Sequence, residues 1–103
     1  MPKLTLTEWK QKMLEQAKKA LEEIKEVQQR VKKKGYHTVY EQSRVRHAMF
    51  DIGETKGYFR ALIDELGGSE KAQLKNKELC DTEEEIRNIL MQALTIAYET
   101  FGW

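Results

Sequence analysis

LTEWKQKMLEQAKKALEEIKEVQQRVKKK, residues 6–34, is the stretch that decides the fold. Leu6, Met13, Ala17, Ala20, Ile24, Val27 and Val31 fall on the a and d positions of one heptad frame. Lys10 is the only break, and Leu14 and Leu21 widen the stripe at e. A seam kept up from one end to the other belongs to a helix packed along its length against other helices. The start is marked as well: Thr5 and Glu8 stand at capping-box spacing, with Leu4 and Trp9 placed for a hydrophobic staple. Glu8 with Lys12, Glu15 with Lys19, and Glu26 with Arg30 are i,i+4 pairs in the favourable order. Lys32, Lys33 and Lys34 then crowd the negative end of the helix dipole before Gly35 stops the helix.

Working outward, Thr38 and Glu41 repeat the capping-box spacing and open a second helix over about 38–66. Its seam reads Val45, Met49, Ile52, Phe59, Ile63, Leu66, with Ala48 and Leu62 alongside; Lys56 at an a position must snorkel or meet an acid. Gly67-Gly68-Ser69 ends it. A third helix over about 82–101 is expected to open at Asp81 or Thr82, where Glu83, Glu84 and Glu85 suit the positive dipole end. Ile86, Ile89, Leu90, Ala93, Leu94, Ala97 and Phe101 give it a wide apolar face, and Gly102 ends it. Residues 69–80 read as either a short helix or a polar loop. The expected fold is all-α, a three-helix up-down-up bundle whose first two helices form a long antiparallel hairpin, in one domain over residues 1–103.

Composition agrees. The 103 residues carry 34% charged and 40% hydrophobic side chains with a single proline, which suits a charged-surface helical protein and not a β-sandwich or a disordered tail. A net charge of +1 marks no global field for nucleic acid or membrane. The charge is uneven, however: residues 1–35 hold ten basic and five acidic side chains, and residues 69–103 hold four and seven. Helix dipoles favour both biases. The apolar run from Ala93 to Tyr98 is short and broken by Thr95, so neither a signal peptide nor a membrane span is read. A lone Cys80 makes no internal disulfide, and a reducing cytoplasm is the expected compartment.

The sharpest enzyme pattern is Glu22-Glu23-Ile24-Lys25-Glu26 with Asp51-Ile52-Gly53-Glu54 on the next helix. These nine residues are similar to the paired carboxylate motifs of the MazG-type nucleotide pyrophosphohydrolases, a resemblance that implies magnesium held between acids on facing helices. The second motif has its acids in reversed order, Asp first. In the heptad frame Glu22, Glu26, Asp51 and Glu54 fall at c and f, facing water, whereas a hard cation needs several oxygens converging on one point. Solvated charge is therefore the expectation. Cys80 lacks a family signature linking it to His37 or His47, the histidines are ten residues apart, and Gly67-Gly68 lacks the lysine of a phosphate loop. No catalysis, metal or cofactor is expected.

Binding surfaces are the better prospect. For nucleic acid, Lys32, Lys33, Lys34 and Arg44 would contact phosphates at one end, and Lys71, Gln73, Lys75, Asn76 and Lys77 offer phosphate- and base-contacting types if 70–79 forms an exposed helix. Trp9 and Trp103 are expected to cover the ends of the core. The anomalous feature is a second face of helix two: at 100° per residue Arg46, Phe50, Gly53, Gly57, Arg60 and Ala61 cluster far around from its seam. A glycine inside a helix costs about 1 kcal/mol against alanine, and close approach of another backbone is the usual compensation. Three readings stand side by side: helix three crosses there, a second copy does, or the glycine pair is merely tolerated. The sequence thus predicts a small helical protein-interaction module, an adaptor or regulator that binds itself and an unidentified protein, with a nucleic-acid-binding accessory protein as the alternative.

Overall fold

The computed structural model describes residues 4–103. Its helices are α1 (Leu6–Lys34), α2 (Val39–Glu65), α3 (Ser69–Lys75) and α4 (Lys77–Phe101). There is no strand among the described residues, so the chain is an all-α bundle of three long helices and one short one. Each long helix packs on the other two, while α3 lies on α4 and the end of α2. Lys10 meets Glu78, which places the start of α4 beside the start of α1. The long helices therefore run up, down, up. None of the described helices is long and apolar enough to cross a membrane.

The caps explain where the helices begin. Thr5 Oγ1 accepts the Glu8 N–H. At α2 the box is reciprocal: Thr38 Oγ1 accepts the Glu41 N–H, and Glu41 Oε1 accepts the Thr38 N–H. The same carboxylate takes Lys34 Nζ at 2.8 Å, clamping the end of α1 to the start of α2. That lysine hydrogen bond, with further help from the Thr38 N–H and hydroxyl, holds the Glu41 carboxyl below its ordinary range although burial pushes the other way. At the other end of α2, Gly67 and Gly68 take φ of 100° and 102°, a region side chains disfavour, and so turn the chain into α3.

Two expectations need correction. The third long helix opens at Lys77 and not at Asp81 or Thr82, because Asn76 is its cap, with Oδ1 accepting the Leu79 N–H at 3.1 Å. Leu79 and Cys80 are buried, so the apolar face begins earlier and the glutamate triplet lies inside the helix. The ambiguous stretch resolves into a seven-residue helix, Ser69–Lys75, held down by Ala72. Second, the seams are narrower than the heptads imply: Leu6 and Leu94 are exposed, and Met13, Met49, Leu62, Leu66, Leu90 and Phe101 only partly buried. The centre is as the seams require, with Ile24, Val27, Val45, Ile52, Phe59, Ile63 and Ile86 buried. Lys10, the break in the first seam, is buried too. Its ammonium reaches Glu78 at 3.1 Å, so the long stem packs in the core while the charge is met at the rim.

Candidate interaction surface

One side-chain contact and one shared cavity show how α2 and α4 lie together. At one end the Arg46 guanidinium lies 4.6 Å over the Trp103 ring, which stacks on Phe101; at the other, Ile63 shares a small polar cavity with Ser69, Cys80 and Glu83. These two ends show that α2 and α4 run antiparallel along each other. A Cβ added to Gly53 or Gly57 would meet nothing within 4 Å. No close crossing of α4 over the two glycines is therefore present among the described residues, although Gly53 is partly covered and Trp103 lies against Arg46.

The expected stripe is partly brought together. Arg46, Phe50, Gly57 and Arg60 are exposed along one side of α2, with Gly53 partly covered. Arg60 donates to Ser69 Oγ at 3.1 Å and pairs with Asp64 at 3.3 Å. Ala61 departs from the group, lining instead an apolar cleft with Leu4, Leu6, Trp9, Tyr58 and Leu62. What the sequence reading missed is the neighbouring row on α4. Met91, Leu94 and Tyr98 are exposed at spacings of three and four, one side of that helix left uncovered beyond the reach of α3. The spacing was the available signal, but Leu94 was absorbed into the core face. Comparison with family models, curated proteins and solved structures found no match.

The acidic motifs separate. Glu22, Glu26, Asp51 and Glu54 are exposed, while Glu23 turns partly inward and pairs with Arg44 at 3.1 Å. Glu23, Asp51 and Glu54 do line one cleft, together with Lys19 and Tyr58. Glu54 is engaged by the Tyr58 hydroxyl at 2.8 Å, a hydrogen bond that pushes the phenol upward. Among the described residues no three His, Cys, Asp or Glu side chains converge as a cation cage would require.

Cys80 and the histidines are likewise apart. His37 sits against Phe101 at the far end of α4 and meets Gln42 through Nδ1, whereas Cys80 lies in the first turn of α4. Burial, then Asp81 and Glu83, raise the thiol against the opposing Arg60 charge, which disfavours a reactive thiolate. The basic residues also disperse. Lys34 is taken by Glu41 and lies over Tyr36, and Arg44 by Glu23, leaving Lys32 and Lys33 exposed. Asn76 is spent as a cap and Gln73 lines the polar cavity by Glu83; Lys71, Lys75 and Lys77 remain exposed.

Proposed function

We propose that this chain is a small helical interaction module, an adaptor or regulator, which works by presenting the α2 stripe to a protein partner and associates with itself there. The observation that supports the reading is the open space over Gly53 and Gly57. Two interior glycines at i,i+4 forgo roughly 2 kcal/mol of helix propensity, and among the described residues nothing comes within 4 Å of the Cβ that either lacks. The buried lone Cys80 fits a reducing compartment, and a cytoplasmic location goes with the proposal. Light scattering at tens of micromolar is expected to give a dimer. Gly57→Leu should abolish it while leaving a folded, equally or more helical monomer; a monomeric wild type would remove self-association from the reading. Nucleic-acid binding is the second reading, supported by exposed Lys71, Lys75 and Lys77 in one short segment. Fluorescence anisotropy with DNA and RNA tests it, since phosphate contacts give a steep loss of affinity with salt.

A further inference from the structure

Resting on the interaction-module reading, we infer that the stripe on α2 takes a second copy of the chain in one register: antiparallel, about a two-fold axis level with position 55. The pattern of residues is symmetric about that point. Arg46 and Asp64 stand nine positions either side of it, Phe50 and Arg60 five, and Gly53 and Gly57 two. Arg46 and Asp64 are also eighteen residues apart, which at 100° per residue is five whole turns, so they share one angular position on α2. Facing α2 helices related by the two-fold therefore set Arg46 against the partner copy's acid at position 64, twice over. Phe50 comes level with the other copy's arginine at position 60, the two flanking the contact 80° apart around the helix, and the glycines meet at the centre where the backbones come closest.

The charges in the monomer leave this pairing open. Arg44 has Glu23 and Arg60 has Asp64, but Arg46 has no acidic partner among the described residues. The Arg46 guanidinium lies 4.6 Å over the Trp103 ring and donates to no acceptor among the described residues, so its N–H groups remain for an incoming carboxylate. The Arg60–Asp64 pair is exposed on both sides, of the kind that contributes little in water, so Asp64 is available to a second arginine. The apolar area fits as well. Phe50, Met91, Leu94 and Tyr98 are 68%, 58%, 44% and 64% exposed, which at roughly 200 Å² per free side chain is on the order of 450 Å². A standard interface buries about 800 Å² per partner, somewhat over half of it non-polar, so exposed side chains of this total are of the size such a contact needs.

The test uses the full chain in two charge-reversed forms. Arg46→Asp and Asp64→Arg should each weaken the dimer at least about tenfold, because each places like charges together at both ends of the contact. An equimolar mixture of the two should dimerise as well as wild type, since each end of the heterodimer then joins one Asp to one Arg. Circular dichroism checks that both variants fold, and a cysteine pair gives an independent reading. Phe50→Cys mixed with Arg60→Cys should form a disulfide-linked dimer that neither forms alone. A wild type that stays monomeric at tens of micromolar overturns the second-copy assignment and leaves the module with another partner. A wild-type dimer whose mixture does not recover, or whose Phe50→Cys chain links to itself, overturns the register alone.

Discussion

Lys10 and Glu78 set up an asymmetry that mutation can read. The lysine is 3% exposed and enters the core, whereas the Glu78 side chain is 63% exposed. At their 3.1 Å separation the direct attraction is about 5 kcal/mol for an effective dielectric near 20, set against the cost of desolvating the ammonium. Removing the acid leaves that cost uncompensated, so Glu78→Ala should destabilise the fold by about 2–3 kcal/mol. This is below the 3–5 kcal/mol typical of fully buried pairs, because water reaches the glutamate side. Removing the base is different. Lys10→Met keeps the packed stem and deletes the charge, and its expected effect lies within about 1 kcal/mol of zero or is stabilising. With methionine at position 10, the further change Glu78→Ala should cost only about 0.5 kcal/mol. Urea unfolding followed by circular dichroism measures all three variants. The reasoning fails if Lys10→Met costs as much as Glu78→Ala, for the charge itself would then be stabilising the core.

Other outcomes follow from the same structure. Ile24 is 1% exposed at the middle of the α1 seam, so Ile24→Ala should cost about 2–5 kcal/mol and lower Tm by about 4–8 °C per kcal/mol. Glu22, exposed and only loosely paired with Lys25, should cost well under 1 kcal/mol as alanine; equal effects would mean the α1 seam is misassigned. Acid should weaken the α1–α2 clamp. With the Glu41 carboxyl held below its ordinary value of 4.5, the unfolded chain binds that proton first. Its contribution is thus complete above about pH 4.5 and is lost as pH falls through the folded value. Glu41→Gln should flatten that acid limb of a stability-against-pH curve; an unchanged limb would assign it to other carboxyls.

The two helices with marked starts were legible because local and long-range signals coincide in them: capping-box spacing opens each, made as a full box at Thr38 and Glu41 and as the threonine half alone at Thr5 and Glu8, and a heptad seam runs on from it. The start of α4 was not. Its cap, Asn76, is followed by lysine and a single glutamate, whereas the denser acidic run at residues 83–85 imitates a first turn. Lys10 looked like a fault in the seam since its partner lies within the stretch left undecided. Leu94 and Met91 show the opposite limit. Periodicity says which residues share a side of α4, but only the packing of α1, α2 and α3 determines how much of that side is covered. The glycine stripe could be found from its energetic cost alone, but whether α4 closed over it depended on interhelical geometry.

The parallel pairing of α1 with α4 bears on how the chain is made. Residues 10 and 78 must meet, so the α1–α2 hairpin leaves the ribosome with Val27, Phe59 and Ile63 lacking their third wall until α4 has been synthesised. At about 5–20 residues per second that interval lasts seconds, long enough for an uncovered apolar seam to find another nascent hairpin. The clamp between Lys34 and Glu41 sits at the turn of the hairpin and does not shield that seam. A chain of this topology is therefore most exposed to misassembly during translation, and slower elongation through α4 would lengthen the risk.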